Sequence, residues 1–407
     1  MTQAVTAIVI GAGIAGCSTA YALAKRGIKV TLLERHESIA QEASGNLIAA
    51  LYPKLSNSNT AQSQLAKQGF MFTLSLLKQL PDCAQFFNAC GQIQLAVDVR
   101  ETVRQEVLYG NDTDLQFQLL TVDQASEQAG IHLKVGGLFC PIAGWVKPAE
   151  FCKALIRSPL ASANISLIPC TSALTIEKID NHWLVNARNA QQLSQDYQAD
   201  IVVLCNANDI KQFSFCQSAA ITTVRGQLNY IEQNSASQAL KTLLCGTHYF
   251  SPAVNGLHAL GASYAPNDAN PDLSAMDTQK NLNALKQFSL EIYQAINQKN
   301  LNGRVAYRCQ TLDYMPLAGQ LIDDKLLRAN PPRYNANASS LPWLNGLYVN
   351  AGHGSKGFIT APICGELVAN LALNETPVMD KSLISRLNPS RFLLKELGLK
   401  QLAATLY

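Results

Sequence analysis

Three observations predict an α/β fold (α+β overall). A strand, a glycine turn, a helix and a second strand follow one another at the N-terminus. Far along the chain, Ile201-Val202-Val203-Leu204-Cys205 is fully apolar and largely β-branched, the pattern of a parallel strand buried on both faces. Beyond it, Gln227 to Ile231 and Leu257 to Ser263 read as antiparallel strands with alternating or mixed faces. The expectation is a Rossmann-like domain joined to a second domain on a mixed or antiparallel sheet.

The N-terminal unit is the most legible. Ala7-Ile8-Val9-Ile10 has the short apolar pattern of a buried strand, and Gly11-Ala12-Gly13-Ile14-Ala15-Gly16 follows at once. Cys17 to Arg26 then predicts a helix of small and apolar residues, closed by Gly27 at a C-cap position. Lys29-Val30-Thr31-Leu32-Leu33 is the second strand and ends at Glu34. Later, Gln279 to Gln298 predicts one amphipathic helix, with Leu282, Leu285, Phe288 and Ile292 spaced by three and four. Gly346 to Gly352 is a strand entering a glycine turn, and Pro362 to Leu373 a small-residue helix. Asn330 to Ser340, rich in Pro, Asn and Ser, is a surface loop. The tryptophans, Trp145, Trp183 and Trp343, are taken as packing residues.

Composition narrows the class. The chain has 407 residues, 48% hydrophobic and 15% charged, which excludes a disordered chain and suits two domains of roughly 100–200 residues. A net charge of +3 falls far short of a strongly basic nucleic-acid binder. Its distribution is uneven: the 27 residues from Lys381 carry +4, leaving −1 for the rest. That tail (Lys381, Arg386, Arg391, Lys395, Lys400) is expected to form a phosphate-contacting face or a solvated helix surface. The eleven cysteines have no Cys-x-x-Cys spacing and read as reduced thiols of a cytoplasmic protein. No apolar run is long enough for a membrane span, and the first six residues have no positive charge for a secretory signal. No cluster has metal-ligand spacing.

Gly-x-Gly-x-x-Gly gains meaning from its context. Gly11 makes the turn off the strand, Gly13 lets the backbone approach a pyrophosphate, and Gly16 lets helix and strand pack closely. Phosphates would then sit at the helix N-terminus, where N–H groups and the dipole favour negative charge. Glu34 lies 23 positions after Gly11, near the spacing of an acid that binds a ribose 2′-hydroxyl. An acid there disfavours NADP and leaves FAD and NAD open.

Further segments decide between them. Ala43-Ser44-Gly45-Asn46 closing on Leu51-Tyr52-Pro53, then Gly144-Trp145-Val146-Lys147-Pro148 and Val224-Arg225-Gly226-Gln227, resemble segments of the D-amino-acid-oxidase-like (DAO) flavoproteins. Arg308-Cys309-Gln310-Thr311-Leu312-Asp313-Tyr314-Met315-Pro316 and Gly352-His353-Gly354-Ser355-Lys356-Gly357 follow in the family's order. Within that superfamily, Ala50-Leu51-Tyr52-Pro53, Gly261-Ala262-Ser263-Tyr264 and Leu387-Asn388-Pro389-Ser390-Arg391 resemble the C-terminal FAD-dependent domain of the MnmC proteins of tRNA 5-methylaminomethyl-2-thiouridine biosynthesis.

The resemblance implies FAD, held by Gly11, Ala12, Gly13, Ile14, Ala15, Gly16, Glu34, Arg35, Ser44, Gly45, Asn46, Ala49, Ala50, Leu51, Ala173, Gly352, His353, Gly354, Ser355, Lys356, Gly357 and Phe358. It also implies a discontinuous split, with residues 1–85, 145–220 and 305–407 forming the FAD-binding domain and 86–144 and 221–304 the substrate domain. The implied activity removes the carboxymethyl group of 5-carboxymethylaminomethyl-(2-thio)uridine at the tRNA wobble position, giving 5-aminomethyl-(2-thio)uridine and glyoxylate. tRNA is then the partner. MnmC proteins carry an N-terminal methyltransferase domain, and this sequence opens directly on its first strand. Methylation is therefore expected from a separate methyltransferase chain.

Flavin carries the redox chemistry, so the protein need only bind and orient. Arg308 matches the family's carboxylate-binding arginine, and a planar guanidinium suits a carboxylate bidentately. Tyr264, on a presumed substrate-domain strand, is the second substrate candidate. Two alternatives stand beside this reading: a small-molecule amine oxidase of the glycine, sarcosine or D-amino-acid type, and a non-catalytic flavin- or NAD-binding protein. The Arg308 segment disfavours the latter, which needs no carboxylate clamp.

Overall fold

The computed structural model describes residues 5–111, 114–298, 301–333 and 336–406. The first half contributes β1 (Thr6–Ile10), α1 (Ile14–Ala24), β2 (Lys29–Leu33), α2 (Ala61–Gln79), β3 (Ile165–Ile168) and β4 (Ile201–Leu204). The second contributes β5 (Ile221–Glu232), β6 (Leu257–Gly261), β7 (Gly303–Thr311), β8 (Leu317–Ile322), β9 (Trp343–Ala351) and α3 (Gly357–Ala372).

Six strands form one sheet in the order β8-β9-β4-β1-β2-β3, parallel except at the β8–β9 edge. Val9 lies opposite both Leu32 and Val203, so the apolar runs seen in the sequence pack at the sheet centre. Every residue of α1 is buried, because α3 lies against it. Small residues make that approach possible: a Cβ on Gly365 of α3 would lie 2.9 Å from the Thr19 nitrogen.

α3 begins at Gly357, five residues before the expected start at Pro362, which sits inside the helix. Proline has no N–H for the carbonyl four residues back. That carbonyl, Phe358 O, instead accepts the Thr73 hydroxyl of α2 at 3.1 Å. The expected helix over 279–298 is two helices, Ala275–Phe288 and Leu290–Ala295. Extended Ser289 ends the first and caps the second. Leu282, Leu285, Phe288 and Ile292 are all buried, so the apolar stripe crosses the break. Within the loop expected over 330–340, Ala338–Ser340 makes one turn of 3₁₀ helix, while residues 334 and 335 lie outside the described residues.

β5, β6 and β7 belong to a second, nine-stranded sheet, in which β5 runs antiparallel to both neighbours. Val224 pairs with Arg308 across β5 and β7. The sequence-based limit at 304/305 cuts β7, whose strand ladder runs along β5 of this sheet. The larger sheet thus presents Arg308 towards the carboxyl ends of the parallel strands.

One expectation fails outright. Arg391, expected on a phosphate-contacting face or a solvated helix surface, is 1% exposed. Its guanidinium grips the Asp313 carboxylate twice, at 2.8 and 2.9 Å, and donates to the carbonyls of Met315, Pro316 and Asn388. Charge counting missed this because it treats every arginine as solvated. The residue ties the C-terminal helices to the loop that follows β7.

Removing the buried arginine leaves the partly exposed Asp313 carboxylate and three carbonyls without their donor. Arg391→Ala should therefore cost about 3–5 kcal/mol in denaturant unfolding; a change below about 0.5 kcal/mol would refute the tether. Burial pushes the Asp313 carboxyl up, but the Arg391 hydrogen bonds and charge outweigh it and hold it below the ordinary value. A depressed carboxylate contributes stability above the unfolded value of about 4 and loses it as pH falls through the folded one. Wild-type stability should fall more steeply than that of the alanine variant as pH drops through this range, by the Asp313 share.

Candidate cofactor and substrate site

A cavity of about 1040 Å³ opens at the carboxyl ends of β1, β2, β4 and β9 and reaches β5–β7. Parallel sheets bind ligands at this end, where strand order reverses and helix N-termini point.

The cavity's floor is set by backbone crowding. Gly11 has φ +95°, and a Cβ there would meet Cys205 O at 2.9 Å. A Cβ on Gly16 would lie 1.7 Å from Gly11 O, so α1 can leave β1 at this angle only with glycine there. Gly13 faces Ser44, whose hydroxyl takes the Ile14 N–H at 3.0 Å. Buried Glu34 takes the Ala12 N–H at 2.7 Å and the His36 N–H at 2.9 Å, which fixes its carboxylate beside the turn.

Of the residues singled out in the sequence, Gly11, Ala12, Gly13, Ile14, Ala15, Glu34, Arg35, Ser44, Asn46, Ala49, Ala50, Ala173 and the whole run Gly352–Phe358 line this cavity, as do Tyr264 and Arg308. Gly16, Gly45 and Leu51 do not. Gly16 packs on Gly11. Leu51 is fully buried beneath the wall, and Gly45 abuts Ala40 O and the Arg304 guanidinium. Arg304 donates to Asn46 Oδ1 at 3.0 Å and Glu42 O at 2.8 Å, anchoring the 42–46 segment to β7. Arg35 stands at the edge in ion pairs of 2.7 Å with Glu42 and Asp209.

Asn206, Asn208 and His248, which sequence reading did not single out, also line the cavity, as does Tyr249, which the sequence favours as a core residue. The first two directly follow the apolar β4 run, a position the parallel-sheet rule would have flagged. The other two come from the larger sheet and carried no motif.

Buried polar atoms without a partner in the described structure ring the cavity: Asn206 Oδ1, Asn208 Oδ1, His248 Nδ1 and His353 Nε2. His353 can be assigned further. Thr360 Oγ1 donates to Lys356 O at 3.0 Å, so the 2.9 Å contact with His353 Nδ1 must have the imidazole as donor. Nε2 is then an acceptor. Burial lowers the His353 pKa to about 3, and the ring is neutral.

Two arginines separate by their partners. Arg225, fully buried, is saturated by Asp277, Gln227 and the carbonyls of Asn270 and Asp272. Arg308 reaches over Gly226, where a Cβ would crowd its guanidinium at 2.5 Å, and donates to Ser263 O at 3.1 Å. No carboxylate of the described residues lies within ion-pair distance of it. Burial lowers its pKa, partly offset by Tyr249 and Tyr264. Tyr249 donates to Ile48 O at 3.0 Å, and Tyr264 accepts from Gln310 at 2.7 Å. Burial and the Arg308 charge also hold His248 neutral. A desolvated cation among neutral groups is a ready site for a carboxylate.

Residues 6–371 match the family model described as DAO, FAD dependent oxidoreductase. The chain belongs to this DAO family. Its cofactor is FAD, and the glycine cradle, the acidic strand end and the orphaned acceptors suit a dinucleotide of that size. This DAO chain is 39% identical over 398 residues, 97% of its length, to the tRNA 5-methylaminomethyl-2-thiouridine biosynthesis bifunctional protein MnmC of Methylobacillus flagellatus. It is 40% identical over 401 residues to the MnmC of Pseudomonas syringae pv. syringae. It spans about 60% of the length of these relatives. In fold it is similar to glycine oxidase from Geobacillus kaustophilus (TM-score 0.76, 20% identity, 95% of this chain and 98% of that one). L-proline dehydrogenase from P. horikoshii is similar too (TM-score 0.75, 19% identity, 98% and 99%). No helix of the described residues is long and apolar enough to cross a membrane, and no group of three His, Cys, Asp or Glu among them could hold a metal.

Neither backbone atom can yield at Gly16. Gly16→Ala should yield protein with little or no bound flavin, read from the visible absorbance of the purified chain; full flavin content would overturn the crowding argument.

Proposed function

We propose that this flavoenzyme oxidises an N-carboxymethyl amine: the 5-carboxymethylaminomethyl group of a wobble (2-thio)uridine in tRNA, releasing glyoxylate and leaving the 5-aminomethyl base. The observation that carries the reading is Arg308, a partly buried guanidinium in the cavity wall with no counter-ion among the described residues. The MnmC relatives, whose name states a tRNA-modifying role, support the choice of substrate over free amino acids.

Gly11–Ala15, Glu34, Ser44 and the 352–358 loop would hold FAD, which supplies the two-electron acceptor for the methylene C–H bond; water then adds to the resulting substrate C=N bond and splits it into glyoxylate and the free amine. Arg308 would take the substrate carboxylate bidentately and so fix which carbon faces inward. His248 and Tyr249, both held neutral by burial, add no charge beside Arg308, leaving the substrate to neutralise it. Their apolar surroundings favour the uncharged amine needed for loss of hydride.

Arg308→Ala should lower kcat/KM by about 30-fold or more, mainly through KM, with Arg308→Lys intermediate. Unchanged steady-state kinetics would remove the assignment. Gly226→Ala should produce a milder version of the same defect at full flavin content, because its methyl would push the guanidinium aside. The reading as a whole is tested by anaerobic flavin bleaching: undermodified tRNA bearing the carboxymethylaminomethyl base should reduce the enzyme rapidly, and glycine and sarcosine slowly. Rapid reduction by free glycine but not by tRNA would replace it with a small-molecule oxidase.

A further inference from the structure

The strand that delivers Arg308 continues outward onto the surface. Arg308 and Gln310 lie two residues apart on β7, hence on one face of the strand. Gln310 reaches Tyr264 at the cavity wall. Leu312 prolongs the series, since its N–H still bonds Ala220 O in the register of the β5–β7 ladder. Leu312 is 67% exposed, and Tyr314, just beyond, is 61% exposed.

Tyr314 is held there at a cost. Its φ is +60°, a left-handed conformation rare for a bulky side chain. The loop is pinned on both sides: Arg391 clamps Asp313, and Gln62 at the start of α2 donates to Asp313 O at 2.7 Å. Nothing in the described core needs the phenol, which the loop turns outward. Exposed Lys54 lines the cavity with Lys356 of the 352–358 loop, whose pKa is lowered by burial and then by the Lys54 charge.

We propose that Leu312 and Tyr314 form a shelf on which a nucleobase next to the target uridine stacks, while exposed Lys54 meets a backbone phosphate at the cavity mouth. Exposed aromatics beside lysines are the surface that unpaired nucleotides recognise: every base has a π-face, and phosphate supplies the charge. The inference rests on the tRNA reading above and adds how the strand flanking the modified base is held.

The test is equilibrium binding of undermodified tRNA by the holoenzyme across a salt series, with thermal unfolding measured in parallel. Tyr314→Asn removes the ring but suits the left-handed backbone. It should weaken tRNA binding about tenfold or more at every salt concentration, without changing the salt slope and without lowering Tm. Tyr314→Phe should stay within about threefold of wild type. Lys54→Ala should instead flatten the slope by about one unit. Wild-type affinity in Tyr314→Asn, with the wild type itself binding tRNA, overturns the shelf and leaves the substrate reading standing. Absence of salt-dependent tRNA binding by the wild type overturns both.

Discussion

The architecture depends on how closely backbone can approach backbone at the carboxyl end of β1. Gly11 turns the chain with a positive φ, Gly16 rests on its carbonyl, and Gly365 lets α3 come within contact of α1. These three positions bring two helices and the ends of four strands around one opening. A single Cβ at Gly16 would overlap a carbonyl oxygen that cannot retreat without breaking the β1–β2 ladder. Because the turn is fixed, the Ala12 and Ile14 N–H groups meet Glu34 and Ser44, and the cavity acquires a polar floor.

Charge placement in the rest of the molecule follows a consistent logic. Arg225 and Arg391 are buried and fully engaged: one closes the 268–277 segment onto β5, the other ties the C-terminal helices to the loop after β7. Burying a guanidinium is costly unless its donors are satisfied, and in these two they are. Arg308, on the same sheet as Arg225, donates to one carbonyl and has no carboxylate within ion-pair distance among the described residues. Its neighbours in the cavity are phenols and imidazoles.

The two sheets meet at this point. The parallel sheet contributes the glycine turn and the 352–358 loop, and the larger sheet contributes Arg308, Tyr249 and Tyr264. Gln310 joins them, pairing with His353 by a β-bridge and with Tyr264 through its side chain. The neutral, Nδ1-protonated form of His353 comes from this junction too, because Thr360 has already committed its proton to Lys356 O.

The sequence by itself determined the parallel core, the glycine turn with Glu34, and the order of segments that marks the DAO family. Each of these is a local rule: period, turn chemistry and spacing act between residues close in the chain. The tertiary structure alone decided what long-range contacts control. It placed Arg308 with the larger sheet, beyond the expected boundary, because strand pairing is a matter of partners 84 residues apart in sequence, as with Val224 and Arg308 in cross-strand register. It broke the 279–298 helix at Ser289 while preserving its apolar stripe, since the core sees only the face. It also took Arg391 out of the basic tail and into the interior. A composition count sees formal charge; whether that charge faces water depends on where Asp313 lies, and Asp313 is 78 positions away.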